Sequence, residues 1–178
     1  VPTVIAWLNG RILVGEGASQ MKYQLKKGKN IWYSFKMELG EDLGAKYYDS
    51  ELREVDPFRI KNPVDAARVF FAYLKYLIIK YCTENNISTD ILYAVSIPAS
   101  FEANQRKDLL DALMANDMKV SKQALIDEPN AAFISYAVSR AAEDRPMFIS
   151  PDYNSKVLVF DFGGGTCDIS ILEIGQSA

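Results

Sequence analysis

The 178 residues are 49% apolar and 24% charged, which suits one domain with a sizeable core or two small subdomains and excludes disorder throughout. A net charge of -3, with no strong Lys/Arg cluster, excludes a general nucleic-acid binder, which would present a basic face. The absence of histidine removes His-based metal sites, Ser-His-Asp triads and Cys-His nucleophiles, so any chemistry must rest on carboxylates, lysine, hydroxyls, backbone amides or a bound metal ion.

The chain opens with a hairpin pattern. Val4–Leu8 and Arg11–Val14 are short apolar runs separated by Asn9-Gly10, the favoured two-residue turn. Lys22 to Lys29 is basic and polar and predicts a surface loop or short helix. Asn62-Pro63-Val64-Asp65 then marks a helix start, with Asn62 as cap, Pro63 at the first helical position and Asp65 at the positive end of the dipole. Val69, Phe70, Tyr73, Leu74, Leu77 and Ile78 follow at intervals of three and four, a core-facing stripe on a helix that ends near Asn85-Asn86. Lys75 and Lys80 interrupt this stretch, which is too short and too charged to span a bilayer.

Strand and helix alternate from there. Ile91 to Ile97 predicts a strand stopped by Pro98, and Phe101 to Ala115 a helix with Ser100 as cap and Leu109, Leu110 and Leu113 inward. Ala124-Leu125-Ile126 predicts a strand before Asp127-Glu128-Pro129, and Asn130 to Arg140 a helix. Ala141 to Ser155 is polar and contains proline, as a loop does. Lys156 to Phe162 and Thr166 to Ile174 read as two strands separated by Gly163-Gly164-Gly165. The fold class is α/β. Cys82 and Cys167 have no metal-type spacing and suit a reducing cytoplasm, and no secretory signal is visible, so a cytoplasmic location is expected.

The stretch Val157 to Asp168 is the most informative. Its first half is an apolar run of the kind that is buried on both faces, and it delivers Asp161 into three glycines. A carboxylate at the end of such a strand is costly unless a cation, water or hydrogen-bond donors meet it. Glycines let backbone amides approach a ligand closely and form an anion-binding nest. The following residues are β-branched, so the loop joins two strands; neither GxxxxGK[ST] nor GxGxxG is present. On spacing alone, a phosphate-cradling hairpin and a plain glycine-rich turn both remain open.

VLVFDFGGGTCDISILEI resembles the second phosphate-binding hairpin of DnaK-type heat-shock chaperones. VSIPASFEANQRKDLLDA is similar to their V-P-A-Y-F-x-x-x-Q-R segment, and ALIDEPNAAFISYAV to I-N-E-P-T-A-A-A-x-A-Y, in the same order. Near the start, VPTVIAW and LVGEGA resemble the segment after the family's first phosphate loop, and FKMELG resembles A-K-R-x-I-G. Departures are Met37 for Arg, Ser100 for Tyr, Asp127 for Asn, Asn130 for Thr and Cys167 for Phe.

The resemblance implies an actin-like ATPase (ribonuclease-H-like) fold, with residues 1–62 as the outer subdomain of the first lobe and 63–178 as part of its inner subdomain. It implies ATP/ADP and Mg2+ as cofactors. Asp161 would hold waters of the metal and orient the attacking water, and Glu128 would assist the hydrated metal. Gly163, Gly164, Gly165 and Thr166 would wrap the β- and γ-phosphates, Lys36 would approach the γ-phosphate, and Asp168 would support the hairpin and the metal's outer shell. Pro98 and Arg106 match positions that signal between nucleotide and substrate domains. Implied partners are unfolded polypeptide clients, bound through a domain not present here, with a J-domain cochaperone and a nucleotide exchange factor; neither nucleic acid nor membrane is implied. The first phosphate hairpin is expected before Val1 and the second lobe after Ala178, so these residues alone are expected not to hydrolyse ATP appreciably. The alternatives on the same superfamily fold are an actin-like nucleotide-binding scaffold and a small-molecule kinase.

Overall fold

The computed structural model describes residues 1–53, 56–121, 124–143, 155–162 and 167–174. They form two compact units, one of residues 1–93 and 102–120, the other of 94–101 and 121–178.

The first unit begins with β1 (Val4–Leu8) and β2 (Arg11–Val14), paired antiparallel with Leu8 opposite Arg11. Asn9 and Gly10 both take positive φ, 52° and 75°, as the predicted two-residue turn requires. A short helix, α1 (Glu16–Ser19), leads through turns to β3 (Ile31–Tyr33), which pairs with the other edge of β1. Residues 22–29 are turns and a bend with an isolated bridge from Lys27 to Ile31, and Lys22 and Lys27 lie over the Tyr33 ring at 5.0 and 4.6 Å. β1 is thereby central and its residues alternate between two packed faces. Val4 and Ala6 join Ala18 and Ile31 on one side, while Ile5 lies opposite Trp32 and both are fully buried.

α2 (Pro63–Glu84) packs on β1 and on a 3-10 turn at Phe35–Glu38, so the unit's core draws on both sides of residue 62. Phe35 meets Phe70 edge to face at 6.1 Å between ring centres. The predicted start holds: the Asn62 side-chain oxygen accepts from the Asp65 amide at 2.7 Å, and Pro63 opens the first turn. Asn62→Ala is expected to cost about 1 kcal/mol, read as a lower denaturation midpoint at unchanged slope. Burial is deepest at Ala66, Ala67, Val69 and Phe70, whereas Leu74, Leu77 and Ile78 are half-covered.

α3 (Ala103–Met114) lies against α2, with Leu109, Ala112 and Leu113 inward. Its start differs from the expected Ser100 cap. The Gln105 side chain accepts from the Glu102 amide at 2.9 Å, so a reciprocal box two residues further on takes over. Asn116, just beyond the helix, donates to the carbonyls of Arg68 and Ala112, both at 2.9 Å, fastening the two helices.

In the second unit β4 is only Val95–Ile97, shorter than the expected strand from Ile91, because its parallel partner β5 (Leu125–Asp127) has three residues and the ladder ends with it. α4 (Glu128–Ala142) follows β5 directly, starting two residues before the expected Asn130 because Pro129 fits the first turn. β6 (Ser155–Phe162) and β7 (Cys167–Ile174) form an antiparallel hairpin. Its alternate residues face α4, but the reading of β6 as buried on both faces needs correction. Leu158, Phe160, Phe162, Ile169 and Ile171 are all exposed, while α4 packs against both strands.

Candidate functional site

Ile97 and Asp127 stand opposite each other at the carboxyl ends of parallel β4 and β5. The chain therefore steps out of both strands at the same level, as Pro98 and Glu128. Open α/β sheets place ligands at such carboxyl ends. Glu128 is also the first residue of α4, where the helix dipole favours a carboxylate. In the hairpin, Asp161 of β6 and Asp168 of β7 are register partners.

Glu128, Asp161 and Asp168 line one cavity of about 180 Å³, together with Pro98, Ser100 and Ser170. Directly opposed like charges in a sheet are unfavourable by roughly 0.2–1 kcal/mol. Glu128 brings a third carboxylate to the same small space, a donor set that suits a hydrated cation. Among the described residues no three His, Cys, Asp or Glu side chains converge closely enough to hold a metal ion directly.

Gly163, Gly164, Gly165 and Thr166 fall outside the described residues. Phe162 and Cys167, which flank them in the chain, are register partners in the hairpin.

Lys36 and Arg106 belong to the first unit, where each is half-buried. Arg106 lies on α3. Lys36 lies in the Phe35–Glu38 turn, entered through Ser34 in a left-handed conformation (φ 61°). Phe35 and Leu39 anchor that turn in the core, at 2% and 1% exposure. Gly40 closes it: its amide donates to Asp108 at 2.8 Å and its carbonyl accepts from Asn104 at 2.9 Å, tying the lysine segment to α3.

The sequence reading missed Glu38, which is 7% exposed. Lys27 and Lys46 both reach one of its oxygens, Lys27 at 3.0 Å, and the Tyr47 hydroxyl donates to the other. Burial pushes the Glu38 carboxyl up, but the hydrogen bonds from Lys46, Tyr47 and Lys27 outweigh it and hold the pKa below its ordinary 4.5. Burial, then the bond to Glu38, push the Tyr47 hydroxyl well above 10.0. Its bond to Glu38 raises Lys46 above 10.5, against some loss from desolvation.

The signs set a pH window. Glu38 contributes stability above about 4.5, lost as pH falls through its lower folded value. Tyr47 and Lys46 contribute below about 10.0 and 10.5, and that share is lost as pH rises through their raised folded values. Thermal melts are expected to fall away on both sides of this window, and Glu38→Leu to flatten the acid limb.

Carboxylates delivered to one small cavity by the end of β5 and by the β6–β7 hairpin define a mixed α/β protein with an acidic site at its strand termini. A family model described as Hsp70 protein matches residues 1–178. The chain is 28% identical to a heat shock cognate HSP70 protein of Trypanosoma brucei brucei, across 97% of this chain and 26% of that protein. It is 29% identical to the chaperone protein DnaK of Nitrosopumilus maritimus, across 98% of this chain and 23% of the relative. The DnaK of Mycoplasma mobile is 30% identical, across 98% and 24%. The chain belongs to the Hsp70 family, and it spans about a quarter of the length of these curated relatives. No helix among the described residues is long and apolar enough to cross a membrane.

Proposed function

We propose that this chain is part of the ATP-binding and ATP-hydrolysing domain of a DnaK-like chaperone, of actin-like ATPase fold, and supplies one side of a Mg·ATP phosphate site. The observation that carries the reading is the group Glu128, Asp161 and Asp168 around one cavity, with two of its members directly opposed across the hairpin. Three carboxylates are hard oxygen donors and fit Mg2+, which keeps much of its water shell when bound. Asp161, Glu128 and Asp168 would hold the ion through waters, and the ion would neutralise charge on the phosphates.

Gly163 to Thr166 would cradle the β- and γ-phosphates with backbone amides, as a nest does. Lys36 would stabilise charge developing on the γ-phosphate. Phosphoryl transfer to water depends mainly on positioning and charge neutralisation, which these groups supply without histidine. Pro98 and Arg106 would carry the nucleotide state towards a client-binding domain. Residues 1–62 would form the outer subdomain of the first lobe and 63–178 part of the inner one. Unfolded polypeptides, a J-domain cochaperone and a nucleotide exchange factor are the partners this reading implies, in the cytoplasm.

Steady-state turnover tests it. The full-length protein is expected to hydrolyse ATP only with Mg2+, while residues 1–178 alone show no appreciable hydrolysis. Mg-dependent turnover by residues 1–178 would overturn the idea that the site needs further chain, and none by the folded full-length protein would overturn the ATPase reading.

A further inference from the structure

We propose that Glu38 is the positioning residue for Lys36, fixing the turn that carries the Lys36 amine by gathering Lys27, Lys46 and Tyr47 around one buried carboxylate. The inference rests on the reading of Lys36 as the lysine that meets the γ-phosphate. The resemblance assigns Glu38 nothing, because it occupies the open position of the A-K-R-x-I-G pattern.

Glu38 lies two residues from Lys36 in the same 3-10 turn. Phe35, Glu38 and Leu39 all point into the interior, while Lys36 is half-buried and Met37 is 46% exposed. A lysine side chain has four rotatable carbons, so the precision of its amine depends first on how firmly its backbone is held. Three donors from residues 27, 46 and 47 converge on the Glu38 carboxylate from two separate segments. Lys27 is itself held over the Tyr33 ring, at the end of the strand that leads into the turn.

Stability alone is a poor account of this arrangement. A buried ion cluster is often no more stabilising than well-packed apolar side chains of similar volume. What a desolvated carboxylate with three donors supplies, and a leucine does not, is direction: each bond fixes an angle as well as a distance. Gly40 restrains the other end of the turn through Asn104 and Asp108. The geometry is that of a support built around the turn that carries Lys36.

The test compares Glu38→Gln, Tyr47→Phe and Lys36→Ala. In residues 1–178, acylation of Lys36 by acetic anhydride is mapped by mass spectrometry against Lys80 as an internal standard. Glu38→Gln is expected to shift the Lys36/Lys80 ratio about threefold, and in the full-length protein to lower kcat about tenfold with KM for ATP nearly unchanged. Tyr47→Phe, which removes one hydrogen bond and is expected to fold, moves both readouts the same way by a smaller factor. It decides the matter if Glu38→Gln does not fold. Folded variants with unchanged acylation and unchanged kcat, beside an inactive Lys36→Ala, overturn the positioning role alone. Full turnover by Lys36→Ala overturns the phosphate role of Lys36 and the purpose of its anchoring with it.

Discussion

Asp161→Ala in the full-length protein is expected to lower Mg-dependent ATP turnover on the order of 10²- to 10³-fold, the loss typical of removing one preorganised electrostatic group. The same substitution is expected to leave the melting temperature of the nucleotide-free protein unchanged or slightly higher. Asp161 faces Asp168 across the hairpin, and Glu128 lines the same cavity, so its removal relieves a repulsion. Loss of turnover without loss of stability is the signature of a charge group kept for its chemistry. Turnover comparable to the unsubstituted protein would remove Asp161 from the mechanism, and a large fall in melting temperature would mark it as structural.

The largest stability effect is expected at Gly28. This residue has φ +81°, and an added Cβ would lie 2.1 Å from the Lys46 carbonyl oxygen and 3.3 Å from its carbon. Backbone is what it meets, so no side chain can swing aside. The left-handed conformation alone costs a residue with a Cβ about 1–2 kcal/mol, and relieving the overlap adds about 1–3 more. The strain also falls between Lys27 and Lys46, the two cations held by Glu38. Gly28→Ala is therefore expected to cost about 3 kcal/mol, or roughly 10 °C in melting temperature for a unit of this size. Gly10→Ala is the control, because Gly10 has φ +75° with nothing within 4 Å and bears the conformational cost alone. Equal melting temperatures for the two variants would show that the chain relaxes around Gly28.

Local chemistry was legible in the sequence. The Asn9-Gly10 turn and the Asn62-Pro63-Asp65 helix start are decided within four residues, and both formed as read. Boundaries set by partners were not. β4 stops where β5 stops, and α3 begins where Gln105 returns to Glu102 rather than at Ser100. The apolar run Val157 to Phe162 says that both faces of β6 suit an interior, but only the structure shows that Val157 and Val159 are half-buried while Leu158, Phe160 and Phe162 are exposed.

The acidic site was legible in part. Asp161 before three glycines is a local signal, whereas Glu128 and Pro98 acquire meaning only when parallel strands bring their ends level. The Glu38 cluster could not be read from spacing at all. Its members come from positions 27, 38, 46 and 47, with no periodicity linking them, and Lys27 looked like part of a solvated basic loop. A carboxylate among the apolar residues of FKMELG was the one available signal.

Calorimetric titration of Mg·ATP into the folded full-length protein asks whether the acidic site serves a bound nucleotide. Saturable binding is expected, lost when Mg2+ is chelated and much weakened by Asp161→Ala, with little heat from residues 1–178 alone. No binding by the full-length protein would contradict it and leave a scaffold of the Hsp70 family that does not use nucleotide.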